Sequence, residues 1–186
     1  MGIPTLIKTL TASDSAYLDF LDGTSSVVLD STYDEYMFVF TDVRPEVNGV
    51  EFSFQVNPTD DAGGSYDTSV ITSTCFTSSH NEAGTSTSFA YVTGFDQAQT
   101  ANFQIIAPDI GNGADESAAG ILHLFSPSST TYVKHFYSRA QTYHFEDYAQ
   151  DHFTSGYIND TTAIDEIQFK MSSGNFDGVI QLFGIS

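Results

Sequence analysis

The sequence predicts an all-β fold: an antiparallel β-sandwich of jelly-roll type with about a dozen strands. Three observations carry that prediction. First, 40% of the residues are hydrophobic and 14% aromatic, with 16 Phe and 10 Tyr, while Lys and Arg number only 5. Aromatic and β-branched side chains suit a pleated, half-buried surface better than a helix. Second, runs of strand type recur along the whole chain, separated by Gly, Asp, Asn, Ser and Pro. Third, no segment sustains a helical period.

The elements follow in order. Leu6 to Thr11 and Ser15 to Phe20 read as strands, ending at the turn Asp22-Gly23. Val27 to Leu29 reads as a short strand. Tyr36 to Phe40 alternates, but both of its faces are apolar, which places it centrally under cover. Val50 to Val56 sends Val50, Phe52, Phe54 and Val56 one way and Glu51, Ser53 and Gln55 the other. That pattern predicts a half-buried strand with a solvated side.

Asn57 to Thr68, with Pro58, Asp60-Asp61 and Gly63-Gly64, reads as a long exposed loop. Val70 to Thr77, Ser86 to Val92 and Phe103 to Ala107 are further strands, and Pro108 to Ser117 is a second loop. Ile121 to Phe125 and Thr131 to Tyr137 bracket Ser126 to Thr130 as a hairpin. Tyr143 to Tyr157 fits either structure type. The helix candidates are short: Asp96 to Thr100 and Phe145 to Gln150. Ile164 to Met171 and Val179 to Ile185 form the last hairpin. Met1 to Thr5, with Pro4, reads as an extended arm, and residues 6–186 as one sandwich domain. Folding a chain of 186 residues buries about 70% of its unfolded surface, enough for a core without staples.

Charge narrows the function classes. With 24 Asp and Glu, the formal net charge is -19. Such a surface repels phosphate backbones and anionic lipid, so neither nucleic acid nor a membrane is expected as partner. Cys75 is the single cysteine, which excludes an internal disulfide and reads as a small buried strand residue. The N-terminus lacks the basic start and apolar run of a signal peptide, and no stretch has the length of a transmembrane helix.

The residues that carry chemistry elsewhere form no catalytic constellation here. The acidic doublets Asp34-Glu35, Asp60-Asp61, Asp115-Glu116 and Glu146-Asp147 would point to opposite faces within a strand, so none makes a catalytic pair by itself. No nucleophile elbow, Walker loop or dinucleotide fingerprint appears. No catalytic residue and no organic cofactor is expected, and the chain reads as a structural or binding protein, not an enzyme. Calcium is the better use for the acids. Asp109, Asn112, Asp115 and Glu116 gather oxygen ligands on a Gly-rich loop without EF-hand spacing. Asp60-Asp61 beside Gly63-Gly64 is a poorer calcium candidate. A five-residue hairpin loop would bring His123 close to His135 across the strands, on one face.

Several stretches resemble a known group. Leu6-Ile7-Lys8-Thr9-Leu10-Thr11-Ala12-Ser13 leads into Leu29-Asp30-Ser31-Thr32-Tyr33-Asp34-Glu35-Tyr36, then Val43-Arg44-Pro45 and Val50-Glu51-Phe52-Ser53-Phe54-Gln55. Ser172-Ser173-Gly174-Asn175-Phe176-Asp177-Gly178-Val179-Ile180-Gln181-Leu182-Phe183-Gly184-Ile185 completes the pattern. Together they resemble small virion-associated proteins of marine bacteriophages, including cyanophages. That resemblance implies a structural role in the virion, made in the host cytoplasm, as a capsid decoration (cement) or tail-associated protein. It also implies self-association, for which capsid symmetry favours a trimer, and contact with capsid or tail proteins. The alternative expectation is a carbohydrate- or receptor-binding module on a tail or fibre, binding a glycan between the loops Asn57 to Thr68 and Pro108 to Ser117.

Overall fold

A computed structural model describes residues 2–59, 66 and 69–186. Among them are thirteen strands and no helix. They are β1 (Thr5–Ser15), β2 (Leu18–Leu21), β3 (Glu35–Pro45), β4 (Val50–Pro58), β5 (Ile71–Asn81), β6 (Thr87–Tyr91) and β7 (Ala98–Thr100). After them come β8 (Gln104–Ile110), β9 (Ala118–Phe125), β10 (Lys134–His144), β11 (Tyr148–Ile158), β12 (Ile164–Met171) and β13 (Phe176–Ile185).

Eight of these strands build a jelly roll. One sheet has the order β1-β13-β3-β9 and the other β2-β12-β4-β8, all pairs antiparallel. Successive strands of this set change sheets, except β4 and β8, which are neighbours in one; this is the jelly-roll crossing pattern. Two insertions widen the first sheet. The hairpin β10–β11 and the strands β5–β7 continue it as β9-β10-β11-β5-β6, with β7 beside β6 on the same edge of β5. The far end of β10 bridges to β8 through His144 and Ile110, which joins the two sheets on that side.

The core is an aromatic stack between the sheets. Tyr36, Phe38 and Phe40 of β3 point inward at 0% exposure, as do Phe52 and Phe54 of β4 and Phe169 of β12. Ring centroids lie 5.3 Å apart for Phe38 and Phe169, 5.4 Å for Phe40 and Phe52, and 5.2 Å for Phe54 and Phe136. Most pairs meet edge to face or tilted, the arrangement favoured by the ring quadrupole.

Several expectations need correction. Val27 to Leu29 is a loop, not a strand; Val27 and Leu29 plug the sandwich edge, and Leu29 N donates to Asp22 Oδ1 at 2.8 Å. Neither helix candidate forms. Ala98–Thr100 pairs with β5, and the segment from Phe145 closes a tight hairpin in which Asp147 takes φ 63°. The strand from Gln104 runs on to Ile110, so the second loop is shorter than expected. Ser53 and Gln55 of β4 are not solvated: they are 3% and 0% exposed. The connection from β7 to β8 lies over them, and Gln55 Nε2 donates to the carbonyls of Ser69, Ala101 and Asn102, each at 3.1 Å. Alternation marked the polar side correctly; the covering connection satisfies Gln55, and Ser53 Oγ donates to Lys170 O of β12 at 3.1 Å. Tyr36 to Phe40 is central as expected, but the outward Met37 and Val39 are only half-buried.

Candidate functional site

The two faces of the widened sheet differ. Inside the extension, Ile71, Cys75, Ile158 and His152 are fully buried. The segment after β6 and strand β8 cover them: Cys75 Sγ donates to Val92 O at 3.0 Å, and the His152 ring meets Phe95 edge-on at 5.8 Å. Burial pushes the Cys75 thiol up, which suits its reading as an inert core residue.

The outer face has no such cover. Register sets Tyr137 opposite His123, Phe153 opposite Phe76, and Phe76 opposite Tyr91. Their side chains therefore share that face and form a row across five strands. His123 stacks on Tyr137 at 4.4 Å, Tyr137 on Phe153 at 6.4 Å and Phe153 on Phe76 at 5.1 Å; Phe76 meets Phe89 at 5.4 Å. Exposure grows toward β6, with Phe76 at 39%, Tyr91 at 53% and Phe89 at 74%. Beside the row, Phe125, His135, Tyr137, Gly156 and Tyr157 line an open groove of about 480 Å³. Gly156 lets β11 lie close to β5: a Cβ there would stand 2.4 Å from Thr72 O and 2.9 Å from Ser73 Cα.

Polar side chains on this face pair with one another. His123 Nδ1 meets Glu35 Oε1, and Arg139 Nε bonds Asp151 Oδ1 at 2.9 Å. The register sets His123 opposite Tyr137 and His135 opposite Tyr157, so the two histidines share the outer face as diagonal neighbours and not as a directly opposed pair. The hairpin loop is longer than the five residues expected, which moves the register.

The calcium candidates are dispersed. Asp109 turns toward His144, whose Nε2 lies 3.8 Å from Asp109 Oδ2, and burial raises its pKa. Asn112 Nδ2 donates to Glu46 O at 2.9 Å, Glu116 Oε2 accepts from Gly113 N at 2.5 Å, and Asp115 is exposed. The loop carbonyls of Asn112 and Gly113 already face a cation, Arg44, at 3.1 and 3.0 Å. Among the described residues, no group of three or more His, Cys, Asp or Glu is placed to hold a metal. Asp60-Asp61 and Gly63-Gly64 lie outside the described residues.

A polar cleft of about 320 Å³ opens beside Arg44, lined by Asp14, Glu46, Asn112, Asn175 and Asp177. It belongs to the end of the sandwich where Val50 pairs with Ile110. Pro58, where the other long loop begins, pairs with Ile164 at the far end of β4. The two loops expected to share a glycan site therefore start at opposite ends of the sandwich.

Two buried polar residues escaped the sequence reading. Lys134 is 0% exposed, and its Nζ donates to Asp160 O at 3.1 Å and to Thr162 O. His152 is 0% exposed, with Nε2 2.7 Å from Thr154 Oγ1, and burial pushes its pKa down to about 4. Both sit in strands of mixed polarity, where the sequence bears no signal of which way they face. No protein-family model matches this chain, and no curated protein does.

Proposed function

We propose that this chain is a structural protein of a bacteriophage particle, a decoration protein on the outer head surface, which uses its aromatic sheet face against neighbouring capsid subunits. The observation that supports the reading is the aromatic row that runs from the buried His123 through the half-buried Tyr137 and Phe153 to the exposed Phe76 and Phe89, in a chain of net charge -19. A soluble domain with that much charge has polar residues to spare. An apolar row across a sheet face then marks a surface meant to be covered. Jelly rolls serve in capsids and in lectins alike, so the fold agrees with the reading without choosing it. The resemblance of segments within Leu6 to Gln55 and of Ser172 to Ile185 to virion-associated phage proteins supports the virion reading.

The experiment is co-sedimentation. Particles of the encoding phage that lack this chain are mixed with purified protein. Wild-type chain is expected to pellet with the particles, and Phe76→Glu to remain in the supernatant while keeping its urea midpoint within the small range typical of exposed sites. Equal binding of both proteins would remove the aromatic face from the account.

A further inference from the structure

Strand β6 is an edge that the fold leaves open. Among the described residues it pairs only with β5. Its five residues, Thr87-Ser88-Phe89-Ala90-Tyr91, are all exposed and none is charged. Ser86 O accepts from Asn81 N, and Val92 N donates to Cys75 O, so the even-numbered residues bond toward β5. The N–H and C=O groups of Thr87, Phe89 and Tyr91 therefore point out of the sheet edge.

Open edges of natural sheets are normally blunted by charge, Pro or bulges. The other edges here follow that rule. β1 carries Lys8, Asp14 and a register shift between Leu6 and Lys8. β2 has only four residues, one of them Asp19. β7 is three residues long and is interrupted by Gln99 at φ 53°. β6 has none of these devices.

We infer that β6 pairs antiparallel with β6 of a second copy of this chain, across a two-fold axis through Phe89. Three features select that occupant. The strand is uncharged within a chain of net charge -19, so two copies meet here with little repulsion. The outward backbone groups are spaced symmetrically about Phe89, so Phe89 exchanges both bonds with its own copy and Thr87 does so with Tyr91 of the other. The side chains then match as well: Phe89, already 5.4 Å from Phe76, extends the aromatic row into its counterpart on the second copy. An isologous contact of this kind closes on itself as a dimer. Its hydrogen bonds use the sheet edge, whereas the capsid reading uses the side chains of the face; Phe89 serves both, so Phe76→Glu in the co-sedimentation and the cross-linking at positions 88 and 89 tell the two readings apart.

The test combines mass and cross-linking. Sedimentation equilibrium of the wild-type chain at high micromolar concentration is expected to approach twice the 20.2 kDa chain mass, and Phe89→Glu to return it to one chain mass. Directly opposed residues of a bonded pair stand ~5.5 Å apart at Cα, within disulfide range. Phe89→Cys should therefore oxidise to a covalent dimer at least ten times faster than Ser88→Cys, whose side chain lies on the other face. Native Cys75 is buried and does not interfere. A wild-type chain that stays at one chain mass would overturn the inference. So would equal cross-linking at positions 88 and 89.

Discussion

The ring of His123 lies on the ring of Tyr137, centroids 4.4 Å apart and 18° from parallel, while its Nδ1 meets Glu35 from a strand on the other side. One side chain thus ties β3, β9 and β10 together at the centre of the outer face. His123→Ala removes the stack and leaves Glu35 without its partner. It is expected to cost about 1–2 kcal/mol, read as a lower urea midpoint at unchanged slope.

Stability should depend on pH through His152. In the folded chain burial holds its pKa at about 4, against 6.5 for an exposed imidazole. Above pH 6.5 the ring is neutral in both states. As pH falls below that value the unfolded chain takes up the proton and the folded chain does not, until about pH 4. Stability is lost through that window, by about 3 kcal/mol at its lower end. Asp19, Asp109 and Asp165 are shifted upward by burial and act in the opposite sense at the acid end. The informative quantity is the difference between wild type and His152→Gln. Urea midpoints at pH 7.5, 5.5 and 4.5 should fall more steeply for the wild type.

Gln55 is the polar keystone of the shorter sheet. Gln55→Leu would strand the carbonyls of Ser69 and Ala101, while Asn102 O, the third to receive its amide, keeps the bond from Gln97 Nε2. A loss of about 2–3 kcal/mol is expected. Hydrogen exchange should show the connection between β7 and β8 opening first. Gln168→Leu, which loses one half-buried bond to Asp19, should cost under ~1 kcal/mol.

Two glycines offer a graded test of packing. A Cβ at Gly120 would stand 2.5 Å from Arg139 O and 2.7 Å from Phe40 Cζ, so backbone in β10 must move. A Cβ at Gly184 would stand 2.3 Å from the Tyr33 ring, a partly buried side chain that can swing. Both Ala variants should be destabilised, Gly120→Ala by ~3 kcal/mol and Gly184→Ala by ~1 kcal/mol. Thermal melts of the two proteins side by side decide the order.

Much of this fold was legible because strands are written with a period of two. Tyr36, Phe38 and Phe40 announced an inward face, and Phe52 and Phe54 announced the face opposite. The runs of β12 and β13 emerged nearly at their observed bounds, but the hairpin expected of them does not form: β12 pairs with β2 and β4, and β13 with β1 and β3. What a strand faces was less legible. Gln55 has the same alternation whether water or the loop from Ala101 covers it. The segment around Phe145 was ambiguous because a tight hairpin needs only one left-handed residue, here Asp147, which no periodicity reveals. The aromatic row was invisible for a different reason. His123, Tyr137, Phe153, Phe76 and Phe89 come from five strands, and only the order in which the insertions join the sheet aligns them. Glu35 and His123, 88 positions apart, are paired by the same interleaving.

The most direct measurement is cryo-electron microscopy of the particle of the phage that encodes this chain. Regular copies on the head lattice, with the Tyr137–Phe76 face against neighbouring subunits, is the predicted result. A well-resolved head that carries no density for this chain would contradict it.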